Sequence, residues 1–130
     1  MNELNLTIPA DSRWLLALRS SLSAVGAIAG LSLDTIEDMR IAVDEAFDLL
    51  AHQPRSLEAI MLICNIEEDK LNVRLEGKRS FSPQQCVPAD AETARLVIGT
   101  LVADIHLEGD SCGIHSVCMS LPVSGLSHEC

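Results

Sequence analysis

The sequence predicts an α+β fold, a two-layer sandwich in which a mostly antiparallel sheet is covered on one face by three helices. Apolar residues recur at spacings of three and four in three segments, which is typical of amphipathic helices. Other segments alternate polar and apolar residues, and turn-forming residues separate them. The resulting order is β-α-α-β-β-α-β-β, and its strand pairs favour antiparallel hairpins with the helices on one side.

The first half of the chain carries one strand and two helices. The alternation of ELNLTI predicts a strand over 3–8 that ends at Pro9. Asp11 or Ser12 can cap the first helix, which is expected to stop at Gly30. Ser32 or Asp34 can cap the second helix, and Pro54 stops it.

The second half is expected to contain two hairpins around a third helix. The predicted strands are 57–66, 71–77, 105–109 and 114–121, and the predicted helix is 90–104. Residues 1–122 are interpreted as a single domain, and residues 123–130 as a flexible tail.

Composition excludes several classes of function. The net charge of −10, with one Trp, two Phe and no Tyr, disfavours nucleic-acid binding, because phosphates are repelled and few rings are present for base stacking. No apolar run reaches the roughly 18 residues of a membrane span, and no signal peptide is visible, so the expected location is the cytoplasm. The five cysteines are irregularly spaced and indicate buried thiols rather than a disulfide framework.

An acidic pair, Asp44 and Glu45, lies in the middle of the second helix. Adjacent helical residues point about 100° apart, so the pair is not a two-carboxylate site. Asp44 follows Arg40 by one turn, which predicts an i, i+4 ion pair on a solvated helix edge. A role for Glu45 as a general base is the alternative.

The segment IEDMRIAVDEAFDLLAHQ resembles a helix of the small bacterial anti-sigma-factor serine kinases, members of the GHKL (Bergerat-fold) ATPase superfamily. In that family the helix reads acidic-x-x-x-x-A-V-x-E-A-x-x-N. The element order matches over nearly the whole chain, and LVIGTLVADIHLE is similar to the last helix and its following strand. The resemblance implies a histidine-kinase-like ATPase fold, a homodimer, and a sigma factor or an anti-sigma antagonist as partner. It also implies that Glu45 is the general base of an ATP- and Mg²⁺-dependent kinase.

The chain departs from the family pattern at each nucleotide motif. Leu49 occupies the position of the Mg²⁺-binding Asn, and leucine offers no oxygen ligand. Glu76 and Gly77 stand where the family has an adenine-binding D-x-G, and they are the candidate nucleotide-binding residues. The glycine-rich phosphate loop is replaced by the acidic segment PADAETARLVIG. We therefore expect an anti-sigma-factor-like regulatory protein with a degenerate nucleotide site and no cofactor; the alternative is a serine kinase that uses Glu45.

The segment CGIHSVC is a weak candidate for zinc binding. Strand alternation puts Cys112 and Cys118 on one face and His115 on the other. A tetrahedral site also needs a fourth ligand that the sequence does not place nearby. The sequence therefore predicts no metal site.

Overall fold

A computed structural model describes residues 3–51, 57–79, 104–110 and 113–123. It confirms the α+β class. The elements are β1 (Glu3–Pro9), a 3-10 turn (Ser12–Trp14), α1 (Leu15–Ala29), α2 (Leu33–Ala51), β2 (Leu57–Glu67), β3 (Lys70–Arg79), β4 (Asp104–Asp110) and β5 (Gly113–Pro122). The described residues contain two α-helices. The predicted third helix, 90–104, lies outside the described residues except for Asp104, which the structure places at the start of β4.

The five strands form one sheet in the order β1-β2-β3-β5-β4, and every neighbouring pair is antiparallel. A two-residue loop, Glu68–Asp69, joins β2 to β3, and Glu68 adopts a φ of 53°. Such tight hairpin loops require positive φ to match the strand twist. β3 is the central strand, with β2 on one side and β5 on the other.

Alternation along the strands gives the sheet an inner face, which α1 and α2 cover, and an outer face. On β3 and β5 the buried inner residues are Leu71, Val73, Leu75, Val117, Met119 and Leu121. The helices meet them with Leu18, Leu22, Met39, Val43, Phe47 and Leu50, all at most 1% exposed. One continuous core therefore lies between the helices and the inner face.

The helix ends follow local capping rules. The Asp11 side chain accepts a hydrogen bond from the Arg13 N–H at 2.9 Å, so Asp11 rather than Ser12 caps the first turn. Gly30 ends α1 with a φ of 81°, a left-handed conformation that glycine adopts without penalty. The Ser32 hydroxyl accepts from the Thr35 N–H at 3.1 Å, which selects Ser32 over Asp34 as the cap of α2.

The described chain ends in the core. Val123, the first residue of the predicted tail, is 1% exposed, and its N–H donates to the Asp69 carbonyl at 2.8 Å. Residues 124–130 lie outside the described part of the chain. Among the described helices, none is long and apolar enough to cross a membrane.

Candidate functional site

Glu45 lies in the middle of α2, and Leu49 lies one turn later on the same side of the helix. Both side chains are half-buried, and Leu49 packs against the hydrophobic core. The position that the resemblance assigns to a Mg²⁺ ligand is therefore occupied by an apolar side chain in contact with other apolar side chains. Glu45 as a whole is partly exposed to solvent.

Asp44 pairs across the helices rather than along its own helix. The guanidinium of Arg19 on α1 donates from Nε to Oδ1 at 3.1 Å and from Nη2 to Oδ2 at 2.8 Å. These hydrogen bonds and the carboxylate charge raise the pKa of Arg19. The predicted Arg40–Asp44 pair is wrong, because Arg40 instead pairs with Glu37 at 3.1 Å, one turn in the other direction.

Glu76 lies on the outer face of β3, where its carboxylate pairs with Nη1 of Arg74 at 3.2 Å. Glu45 lies on α2, which packs against the inner face. The two sequence-predicted site residues are therefore on opposite sides of the sheet. They do not line one pocket.

Gly77 lies on the inner face of β3, opposite Ile60 of β2. A Cβ built on Gly77 would come within 2.8 Å of Cδ1 of Leu57. The space beside this glycine is therefore filled by a leucine side chain. In the D-x-G spacing, the residue two positions before Gly77 is Leu75, which is fully buried in the core.

The remaining sequence motifs lie largely outside the described residues. This holds for the whole acidic segment that replaces the glycine-rich loop and for Cys112. Within the described residues there is no group of three or more His, Cys, Asp or Glu side chains placed to hold a metal ion. Cys118 lies on the outer face, opposite Arg74 on β3.

No protein-family model matches the chain. Individual relatives do match it. The serine-protein kinase RsbW of Listeria innocua is 32% identical over 128 aligned residues, which cover 84% of this chain and 81% of the relative. RsbW of Listeria monocytogenes serovar 1/2a is also 32% identical with the same coverage. RsbW of Staphylococcus aureus strain RF122 is 29% identical over 110 residues, covering 81% of this chain and 64% of the relative.

The chain belongs to the RsbW serine-protein kinase family. The resemblance predicted from the α2 segment is thereby confirmed. The structure adds that Leu49, at the position that the resemblance assigns to a metal ligand, packs against the core, and that Leu75, two residues before Gly77, is buried.

Arg19 is the residue of this RsbW-family chain that sequence reasoning missed. It is the one charged residue of α1. A lone charge on an otherwise apolar and small-residue helix is a signal that the residue has a specific partner, because an unpaired charge beside a core is costly. The sequence gives no indication of which of the many carboxylates that partner is.

Proposed function

We propose that this RsbW-family chain is an anti-sigma-factor-type regulatory protein that acts by binding other proteins, and that its nucleotide site is degenerate. The observation that carries the proposal is the packing of Leu49 against the core at the position of the Mg²⁺ ligand. Magnesium is bound through oxygen atoms in near-octahedral geometry. A leucine in this position leaves the ion without the side-chain ligand that the kinase mechanism uses.

The neighbouring carboxylate, Asp48, does not supply the missing Mg²⁺ ligand. Asp48 precedes Leu49 by one residue, and adjacent positions on a helix point about 100° apart. Asp48 is exposed, whereas Leu49 faces the core. The described residues at this motif therefore do not fit a bound Mg²⁺.

The residues of β3 at the position of the D-x-G motif support the same proposal. Leu75 stands at the D-x-G aspartate position on the inner face, and a carboxylate is needed there to accept a hydrogen bond from an adenine amino group. Glu76 is the nearest carboxylate in sequence, but it faces away from α2 and binds Arg74. Leu57 fills the space that a base would approach beside Gly77.

The partner that we propose is a sigma factor or an anti-sigma antagonist, bound by a homodimer in the cytoplasm. A net charge of −10 favours encounter with a partner surface rich in Lys and Arg. The protein-binding role needs no bound nucleotide. It depends on a stable fold, which the continuous core supplies.

The decisive experiment is a thermal unfolding assay with millimolar ATP and Mg²⁺. A ligand at about 100 times its dissociation constant stabilises the folded state by roughly 2.7 kcal/mol, which is on the order of 10 °C for a domain of this size. We expect no nucleotide-dependent shift. The Listeria innocua relative, assayed in parallel, is the positive control, and a comparable shift in both proteins would refute the degenerate site.

Dimerisation and the binding of protein partners are tested separately from nucleotide binding. Size-exclusion chromatography with light scattering should give twice the 14.0 kDa chain mass for the free protein. Mixing the protein with each sigma factor and each candidate antagonist of its source organism, without ATP, should give a complex with at least one. The absence of a complex with all of them would refute the protein-binding role even if ATP does not bind.

The alternative function is an ATP-dependent serine kinase with Glu45 as the general base. Two observations favour it: the relatives are named serine-protein kinases, and Glu45 is partly exposed to solvent. Transfer of labelled phosphate from ATP to an antagonist protein would establish it, provided that Glu45→Gln abolishes the transfer and Glu37→Gln does not. Glu37 is an exposed carboxylate on the same helix and is the matched control.

A further inference from the structure

The side of α1 that faces away from α2 exposes large apolar side chains. Ile28 follows Gly26, which packs against α2, by two residues, or about 200° around the helix, and it is 75% exposed. Trp14 lies about four turns earlier on the same side and is 48% exposed. The one charged residue of α1, Arg19, is held toward α2 by Asp44. This side of α1 is therefore apolar at both ends and carries no charge between them.

The edge strand β1 lies beside this side of α1. Within the described sheet β1 pairs with β2 alone, so its other edge presents unpaired backbone groups. The opposite edge strand, β4, carries Asp104, His106 and Glu108 on alternate residues, and polar and charged side chains of this kind protect an edge from association. The one charged residue of β1 is Glu3, at its start. The rest of β1 lacks this protection.

A cavity of about 410 Å³ joins β1 to α1. Its lining is mostly apolar and includes Leu4 of β1, Ile66 of β2 and Ile28 of α1. The cavity is large enough for an aromatic side chain, but Trp14 of the same chain is 14 residues from Ile28, about 21 Å along the helix axis. We call the uncharged part of β1 (4–8), this cavity and the exposed residues Trp14 and Ile28 the α1–β1 surface.

The α1–β1 surface is complementary to itself under a two-fold rotation. β1 and α1 run in opposite directions, because the start of β1 and the end of α1 line the same cavity. A two-fold axis beside Leu6, the middle of β1, also passes near Ser21, which is midway between Trp14 and Ile28. The rotation brings Trp14 of each copy to the Ile28 end of the other, where the cavity lies.

The charges also favour a second copy as the occupant of this surface. Two chains of net charge −10 repel each other, so a contact between them is expected where charge is absent. The same axis places Glu3 opposite Pro9 of the second copy, so the one carboxylate of β1 faces no like charge across the strands. A basic partner, in contrast, finds no carboxylate along the uncharged part of this surface.

We propose that two copies of this chain associate through the α1–β1 surface, with Trp14 of each copy filling the cavity beside Ile28 of the other. The proposal rests on the homodimer of the proposed function and names the surface that forms it. The two β1 strands become neighbours about 4.8 Å apart and join the two sheets into one. Each α1 helix lies over β1 and β2, about 5 Å from its own edge, so the two helices come within about 10 Å, an ordinary packing distance.

The experiment follows molar mass by light scattering and Trp14 fluorescence in the same samples, over a dilution of about a thousandfold. Trp14 is the one tryptophan of the chain, so the emission reports on this surface. We expect twice the 14.0 kDa chain mass and a short-wavelength emission in concentrated protein, and a joint change to the monomer mass and a longer wavelength on dilution. A wild type that is monomeric throughout would refute the homodimer itself. A dimer that dissociates without a change in emission would overturn the α1–β1 surface and leave the homodimer intact.

Two substitutions and a matched control test the contact directly. Ile28→Glu places an unpaired charge where the second copy packs and should raise the dimer dissociation constant at least about a hundredfold. Trp14→Ala empties the cavity of its occupant and should raise it at least about tenfold. Ile41→Glu adds the same charge at a 43% exposed apolar residue of α2 and should leave the constant within about threefold.

Circular dichroism of each variant shows whether it is folded. An unchanged dissociation constant in folded Ile28→Glu protein would overturn the proposal. An emission shift of Trp14 that requires an added sigma factor, and that occurs in the monomer, would assign the surface to that partner and overturn the contact between copies.

Discussion

Arg19 on α1 and Asp44 on α2 form a bidentate ion pair that links the two helices, with hydrogen bonds of 3.1 and 2.8 Å. The pair places Asp44 toward α1, and the next residue, Glu45, therefore takes a different side of α2. The acidic pair in the sequence is thus one structural carboxylate and one that is free of this ion pair. The two adjacent carboxylates therefore lie in different surroundings.

Replacing either partner of the ion pair should lower stability slightly. Asp44→Ala should decrease the melting temperature by a few degrees at most, because both side chains are about one-third exposed and water screens the interaction. The difference from the wild type should shrink in high salt. A double-mutant cycle with Arg19→Ala measures the coupling, and purely additive effects of the two substitutions would contradict a direct interaction.

Gly26 is predicted to be intolerant of alanine although it lies within a helix. A Cβ at this position would come within 2.7 Å of Cγ1 of Ile36 and 3.3 Å of Cε of Met39, where α1 and α2 approach closely. Overpacking costs about 1–3 kcal/mol, and the helix-propensity gain of about 1 kcal/mol offsets only part of it. We expect Gly26→Ala to lower the free energy of unfolding by roughly 1 kcal/mol in urea titrations.

The matched control for this prediction is Ser20→Ala, on the exposed part of the same helix, which should be nearly neutral. Adding Ile36→Ala to Gly26→Ala should cost less than the sum of the two single changes, because it removes the crowding atom. Stabilisation by Gly26→Ala alone would show that the helices separate freely at this point.

Within the described residues, the sequence predicted the strands and helices well because each of these elements carries a local period. Leu71, Val73 and Leu75 alternate with polar residues, and this alternation already implies that Glu76 and Gly77 face opposite sides of the sheet. The stop of α1 at Gly30 follows from the backbone freedom of glycine. These features depend only on residues that are close together in the sequence.

The contacts that define the candidate site depend on distant residues and were not predictable in the same way. Arg19 and Asp44 are 25 positions apart, and the nearer Arg40 is the partner that helix spacing favours. Leu57 reaches Gly77 at a point where the β2–β3 register shifts. A one-residue irregularity of this kind changes which face a side chain occupies, and alternation alone does not reveal it.

The buried thiol of Cys64 predicts a specific loss of stability at alkaline pH. Burial raises its pKa from an ordinary 9.0 to about 12 in the folded protein. Above pH 9 the unfolded thiol loses its proton while the folded thiol keeps it, so the unfolded state binds fewer protons and stability falls as pH rises. The slope is at most about 1.4 kcal/mol per pH unit, and the contribution is fully present below that range.

Urea titrations at pH 8 and at pH 10.5 measure this effect. Cys64→Ala should be less stable than the wild type at pH 8, and the gap between them should narrow at the higher pH because the variant lacks the titrating thiol. Ser20→Ala, which changes no titrating group, should keep the wild-type pH dependence. A gap that is constant with pH would show that Cys64 ionises equally in both states.

Leu49→Asn tests whether the side chain at the position that the resemblance assigns to the Mg²⁺ ligand decides ATP binding. The substitution removes apolar packing and adds a partly buried amide, so it should destabilise the protein by roughly 1–3 kcal/mol. Leu49→Ala is the matched control, because it removes the packing without supplying an oxygen. Since Leu75 stands at the position that the resemblance assigns to the D-x-G aspartate and Leu57 fills the space beside Gly77, we expect neither variant to gain stability from ATP and Mg²⁺ in thermal unfolding. Stabilisation of the Asn variant, but not of the Ala variant, would show that the rest of the nucleotide pocket is intact and that a single side chain had closed it.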